Sequence, residues 1–461
     1  MRCKIGEEPH NLKKSLRTLL GVALLGTVCL LSRAQSGVND RAAGETNLTA
    51  AAVFGQPDSL ERARAEAIIS AHRLKASRNS TEGTPEMLSA LTSTRFSTVT
   101  ADGGQLWLDK GPSAVVRSPG LPGVPVALDD QFWAGRVVAP LPLFTRGRIR
   151  SGADVARACW KATQAEERRE TLDLKLSVAD AYVTVLRATR AVEVAAGAVA
   201  SLASYSQHVS NLYEEGLVAR NDLLASQVVL ADAREREIQA RNDLDLAGAS
   251  YNRVLLRPVT SAVTLEDLAP PPAGGDVNEL TARAFKKRPE LVALTEQAEA
   301  LRKEARSVRA SAQPSVGVSG GYADLENNYL QRDQVWAVGV VGIWNIFDSS
   351  LTRHKDRVVD DKADDLSALR GEAMDGVSLQ VRQAWFETDD ARCRLEVTRD
   401  AFAHAEENLK IARDCYRAGV GTNTEVLDAE MLLILSLGNH DNAVYDAVMA
   451  AFRLRRAVGD L

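Results

Sequence analysis

The sequence is poor in the residues that usually carry chemistry. It holds five cysteines and six histidines in 461 residues. Cys3 and Cys29 lie in a segment that reads as a cleaved leader, so the mature chain keeps Cys159, Cys393 and Cys415. An odd number without CxxC spacing excludes a disulfide framework, and the three read as small buried side chains on helices. His72, His208, His354, His404 and His440 are scattered, with no pair at the i, i+3 or i, i+4 spacing of a helical metal site. Asp360-Asp361 with Asp364-Asp365 reads as a solvated helix face. A P-loop and an HExxH pair are both missing, so no enzyme, metal or cofactor is expected.

A dominant charge is missing too. The 56 Lys+Arg stand against 61 Asp+Glu, a formal net charge of -5. That balance gives no electrostatic footprint for nucleic acid. Mean hydropathy is -0.16, which excludes a polytopic helical membrane protein. A β-barrel survives this test, because its strands alternate apolar and polar residues and leave mean hydropathy near zero. The one long apolar run, Leu19 to Leu31, follows Lys13, Lys14 and Arg17 and precedes Ser32-Arg33-Ala34. At about 13 residues it is too short to span a bilayer, which takes about 20. It reads as a secretory leader cleaved after Ala34, so the mature chain is exported.

What the sequence does contain is a duplication. Gln131-Phe-Trp-Ala-Gly-Arg-Val-Val-Ala-Pro-Leu-Pro-Leu-Phe144 aligns with Gln334-Val-Trp-Ala-Val-Gly-Val-Val-Gly-Ile-Trp-Asn-Ile-Phe347. The same ungapped offset carries Ala181-Tyr182 onto Ala384-Trp385, and Tyr213-Glu-Glu-Gly216 onto Tyr416-Arg-Ala-Gly419. Stretches from about 148 to 214 and 350 to 417 lack proline, and Leu172, Leu176, Ala179, Val183 and Leu186 recur at spacings of 4 and 3. Such a period means long helices in left-handed coiled packing, rods of roughly 100 Å. Gly216 and Gly419 would reverse the chain in left-handed C′ positions. Second helices follow from about 222 to 256 and 425 to 458, with Asn221 and Thr424 as candidate N-caps.

Strands precede each long helix. Ser315 to Tyr322 alternates with period two, and a polar loop from Asp324 to Asp333 leads to a second strand, Val335 to Trp344. Tyr322, Tyr329, Trp336 and Trp344 are placed as an aromatic girdle would be. The first repeat keeps its second strand, Phe132 to Leu141. Its first strand is either Arg95–Thr100 or Gln105–Leu108, with Gly111–Pro125 as the loop. The expected organisation is a leader (1–34), a flexible segment (35–58), a first repeat (59–257), a Pro/Gly-rich linker (258–276) and a second repeat (277–461). The first repeat has strands within about 95–141 and long helices within 148–256; the second has them within 315–344 and 350–458. A shortened helix is expected from about 59 to 79.

Four strands cannot close a barrel in lipid, where every edge must be paired. Eight is the smallest barrel, so several chains must combine, and three would give twelve strands. Shape then points to a conduit with helices projecting into the periplasm. Pro140-Leu-Pro-Leu-Phe144, Asn221-Asp-Leu-Leu-Ala-Ser-Gln227, Arg288-Pro-Glu-Leu291, Trp344-Asn-Ile-Phe347 and Tyr416-Arg-Ala-Gly419 make the chain resemble the TolC-like outer-membrane efflux family, from about 130 to 461. The resemblance implies a mainly α fold with a small β part. Duplicated pairs of long antiparallel coiled helices plus two strands would form a homotrimeric α-barrel below a twelve-stranded transmembrane β-barrel in outer-membrane lipid. It also implies an exit duct working with a periplasmic adaptor and an inner-membrane pump, of RND or ABC type, in efflux or type I secretion. The alternative is a periplasmic coiled-coil scaffold or adaptor without a channel.

The resemblance also assigns residues. Gly216, Leu217, Val218, Gly419, Val420, Gly421 and Thr422 would form the adaptor-docking tips, since glycine lets a partner helix approach closely. Glu425 and Asp428, three apart on one helix face, match the family's acidic constriction, and Tyr416 matches a tyrosine that holds the closed state. Gly421 departs from the pattern, standing where a basic residue pairs with the neighbouring helix. Arg417 is then the candidate substitute.

Overall fold

The computed structural model describes residues 57–109, 113–116, 124–127, 129–270, 275–326 and 333–461. The leader, most of segment 35–58, and Tyr329 lie outside these residues.

Two long helix pairs dominate. Helix α3 (Arg148–Glu214) runs antiparallel to α4 (Arg220–Leu255), and α7 (Leu351–Arg417) to α8 (Asn423–Val458). The long members have 67 residues each and the short members 36. At 1.5 Å per residue the long ones span about 100 Å. Each boundary in the first pair recurs 203 positions later in the second. The duplication extends to the turns into α3 and α7, where Arg146-Gly147 and Ser349-Ser350 both take positive φ, at 53° and 86° and at 51° and 66°. The second repeat holds a serine where the first has glycine, in a conformation that disfavours a Cβ.

Short helices brace these rods. Helices α1 (Leu60–Ser70) and α2 (His72–Ser93) pack on α3, where α6 (Pro289–Ser311) also packs; α5 (Val277–Lys287) and α6 lie against α7. The expected single shortened helix is thus two helices that run on to Ser93, separated at Ala71. Arg288 precedes Pro289 in extended backbone, which ends α5 and starts α6. The Arg288–Leu291 stretch anchors this brace. Buried Arg288 bonds Gln380 of α7, and Glu290 bonds Arg456 of α8 at 2.8 Å. Segment 258–270 is more than a linker, for Val263, Leu265 and Leu268 pack on the main core. Fully buried Tyr182 lies with its hydroxyl 2.7 Å from the carbonyls of both Asp58 and Glu266. Tyr182 of the Ala181-Tyr182 pair therefore marks a tie between an N-terminal segment, the inter-repeat segment and α3.

The sheet has four antiparallel strands in the order β1-β4-β5-β6: β1 (Thr100–Trp107), β4 (Gln131–Phe144), β5 (Ser315–Glu326) and β6 (Gln334–Ile343). Its central pair, β4 with β5, joins the two repeats. Strand β1 takes in Gln105–Trp107 of the second expected alternative and begins at Thr100, the last residue of the first. The stretch expected as loop holds a separate hairpin, β2 (Ser113–Val116) with β3 (Val124–Ala127). One face of the main sheet carries Trp133, Val137, Val318, Tyr322, Trp336, Val338 and Val340; the other is mixed, with the Asp102–Arg136 ion pair at 2.7 Å, Ser315 and Ser319 beside Val138, Val335 and Val341. The Tyr322 and Trp336 rings lie 5.0 Å apart. Trp344 stands just beyond β6, and Ile343 is on the opposite face from Val338 and Val340. The Trp133 ring lies along the sheet over Gly135 and Gly103, cross-strand partners whose missing side chains make the room. The letters G-x-S-x-G occur at Gly317–Gly321, but in mid-strand, where Ser319 pairs with Gly339. A nucleophile elbow needs a strand-to-helix turn, so this is no catalytic serine.

The cysteines correct the sequence reading. Cys393 is exposed and Cys159 and Cys415 are half-buried, so none is a core residue.

Candidate functional site

The four long helices converge at the two hairpin turns. Leu217 N–H donates to the Leu212 carbonyl at 2.8 Å and Gly216 N–H to Tyr213 at 2.9 Å; Val420 donates to Cys415 and Gly419 to Tyr416, both at 3.0 Å. These are two Schellman turns, and φ of +72° at Gly216 and +73° at Gly419 explains both glycines. The turns present Leu217 and Val420 to solvent, 67% and 80% exposed. Val218 does not join them. It is half-buried against the hydrophobic cluster under the tips, to which Leu202, Val426 and Leu427 belong.

The expected caps are corrected as well. Helix α4 starts after Ala219 and α8 after Thr422, so Asn221 and Thr424 are inside their helices. Thr422 Oγ1 accepts from the Glu425 N–H at 3.3 Å while Glu425 Oε2 accepts from the Thr422 N–H at 3.1 Å, a full capping box. Gly421 is bound by space, since a Cβ there would meet the Tyr416 nitrogen and Cys415 Cβ at 3.1 Å. A side chain there would need these neighbours to shift by a few tenths of an ångström.

Among the gate candidates, Glu425 and Asp428 are both exposed and lie on one face of α8. Arg417 pairs with Asp414 on its own helix at 3.4 Å, and not with Glu425 or Asp428. Tyr416 is half-buried, its ring 5.9 Å from that of Tyr205 on α3. Burial pushes the Tyr416 phenol above its ordinary range, with Asp222 adding to the shift.

Sequence reasoning missed the polar clasp that joins the hairpins. Glu430 of α8, buried to 2% of its side chain, pairs with Arg413 of α7, and Ser201 of α3 donates to it at 3.2 Å. Arg413 also donates to Ser201 at 2.6 Å. One turn nearer the tip, Tyr205 donates to buried Asn423 at 2.7 Å, and Asn423 donates to the Asp222 carbonyl at 3.3 Å. The available signal was a carboxylate at position 430 within the apolar series Val426, Leu427, Ala429 and Leu433. This clasp belongs to the junction between repeats, with no catalytic or metal-ligating arrangement among its groups.

Long duplicated helix pairs, a small antiparallel sheet with one apolar face, and paired glycine tips set the terms for comparison. The chain matches the outer membrane efflux protein family over residues 130–252 and 280–460. It belongs to that family. It is 26% identical over 310 residues to the alkaline protease secretion protein AprF of Pseudomonas aeruginosa, a match over 64% of this chain and 63% of the relative's length. Among solved structures, the outer-membrane channel OprN superposes with a TM-score of 0.73 at 18% identity, covering 87% of this chain and 90% of the other. CusC superposes with a TM-score of 0.74 at 14% identity, over 87% and 92%. The mainly helical fold with a small antiparallel sheet agrees with the expected class, and as a member of the efflux family the protein resides in the outer membrane with its helical part in the periplasm.

Proposed function

We propose that this efflux family member is the exit duct of an export machine, formed by three copies of the chain around one axis. The observation that carries this reading is the sheet. Strands β1 and β6 each have one neighbour in it, yet its apolar face is open to the surroundings. Unpaired edges are untenable in lipid, and twelve strands from three chains remove them. Exposed apolar stripes support the same assembly: Val228, Ile238 and Leu246 on α4, and Leu379, Phe386 and Val397 on α7. These outer helices flank the order α4-α3-α8-α7, so the stripe of one copy meets that of the next.

Within this reading the tips dock a periplasmic adaptor through Leu217 and Val420 with Gly216, Gly419, Gly421 and Thr422, and an inner-membrane pump of RND or ABC type drives the cargo. Glu425 and Asp428 ring the mouth, with Tyr416 holding the closed state and Arg417 tied locally. Three copies of two carboxylates crowd one axis, repel one another and draw cations inward. The relative's name, a protease secretion protein, favours secretion over small-molecule efflux as the work of the duct.

Single-channel recording tests the duct. Purified protein in planar bilayers should give discrete cation-selective openings, and Glu425→Ala with Asp428→Ala should lower selectivity and block by multivalent cations. Quantitative release of the protein from membranes by salt, without detergent, would refute the barrel. Leu217→Glu should leave trimers intact and abolish export; unchanged export with unchanged adaptor cross-linking would remove the tip assignment.

A further inference from the structure

Above the tips, α4 and α8 diverge over α3 and leave a groove of about 820 Å³, within the range of small-molecule sites. Its floor is small because α3 presents Ala191, Ala195 and Ala198 there, at spacings of four and three. Apolar walls come from Val229 on α4 and from Met431 and Leu435 on α8. The groove face of α4, with Val229, Ala233 and Ala240, is a different face from the stripe Val228, Ile238 and Leu246 assigned to the next copy.

The charges around it do not balance. Arg187 is paired with Asp446 at 2.7 Å, Arg236 with Asp232 at 2.9 Å, and Glu430 with Arg413. Asp428 and Asp441 also line the groove, and neither carboxylate has a hydrogen bond or ion pair among the described residues. They lie about 20 Å apart along α8 at 1.5 Å per residue. Asp441 is half-buried, and this burial pushes its carboxyl above the usual range, against the pull of His440 and Arg190.

We propose that this groove is a binding site for amphipathic organic cations, the apolar body lying on the alanine floor and the cationic group against Asp441 or Asp428. Apolar lining excludes a plain metal ion or polyamine, and two carboxylates without a hydrogen-bonded or ion-pair partner disfavour an anion. The site rests on the trimeric duct only in that the α4–α8 face is left open between copies.

Binding of rhodamine 6G to the intact protein in nanodiscs tests this by fluorescence anisotropy. Asp441→Asn should weaken binding about tenfold, the worth of one charge-assisted contact. Ala195→Leu, which fills the floor, should weaken it at least as much. The uncharged dye N-phenyl-1-naphthylamine should be insensitive to Asp441→Asn. Unchanged rhodamine affinity in both variants overturns the site. So does failure of Ala195→Cys to react with a maleimide in the assembled protein, since a second copy would then cover the groove. Dye-free conductance separates the two readings: rhodamine bound by a protein that forms no channel keeps the site and removes the duct.

Discussion

Removing the Arg413 guanidinium should loosen the tips more than any surface change nearby. Arg413→Met leaves the Glu430 carboxylate buried with Ser201 alone to solvate it. Breaking a buried pair from one side costs about 3–5 kcal/mol. Arg413 is itself 34% exposed, and water reaches part of the site, so about 2–3 kcal/mol is the fitting expectation. Glu430 ties its own helix α8 to α7 and to α3 of the other repeat, and the loss should therefore appear as local opening of the tip, with the rest of the protein unaffected. Hydrogen exchange reads this directly. Amides near Tyr205 and from Val426 to Glu430 should exchange about 30- to 150-fold faster, while the β-sheet is unchanged. The double variant Arg413→Met, Glu430→Leu should recover most of the protection, because replacing a buried pair by apolar groups of similar size is often neutral. Equal exchange in the single and double variants would mean that the desolvated carboxylate is not what the arginine holds.

Three further outcomes follow from the geometry. Gly135→Val should drive a side chain into the Trp133 ring and hinder barrel assembly, seen as loss of gel-stable trimers; Trp133→Ala in the same chain should restore them. Ser350→Gly should stabilise the protein by about 0.5–1 kcal/mol, seen as a raised melting temperature, because it removes a Cβ from a left-handed position at φ 66°. Burial pushes the Tyr182 phenol up to about 12. The fold thus holds its proton more tightly than the unfolded chain, where tyrosine titrates near 10. This contribution to stability is complete below about pH 10 and lost as pH rises toward 12. Tyr182→Phe should flatten that alkaline loss in the melting temperature, and an unchanged slope would show that another group sets it.

The helix pairs were legible because duplication and a period near 3.5 reinforce one another over 67 residues, where no local accident can imitate them. The caps were less so. Thr422 with Glu425 three positions on is a capping-box sequence, but Thr424 lies as close to the periodic region, and only the backbone distinguishes them. Strand β1 was illegible for a tertiary reason. Thr100–Trp107 contains Asp102, Gly103 and Gly104, poor strand formers held by pairing with β4 and by the Trp133 ring laid over the glycine.

The site was hidden by the symmetry that revealed the fold. At the same offset, Glu425 corresponds to Asp222, but Asp428 to Ala225, Glu430 to Gln227 and Arg413 to Ser210. Backbone and turn geometry are duplicated; the charges are not. The second hairpin alone carries both the exposed acidic pair and the buried ion pair that ties it to α3. In a trimer, hairpins with and without this acidic pair and buried ion pair would then alternate around the mouth. A mutation at Ala225 or Gln227 should accordingly leave ion selectivity unchanged, while its counterpart at Asp428 or Glu430 alters selectivity or tip stability.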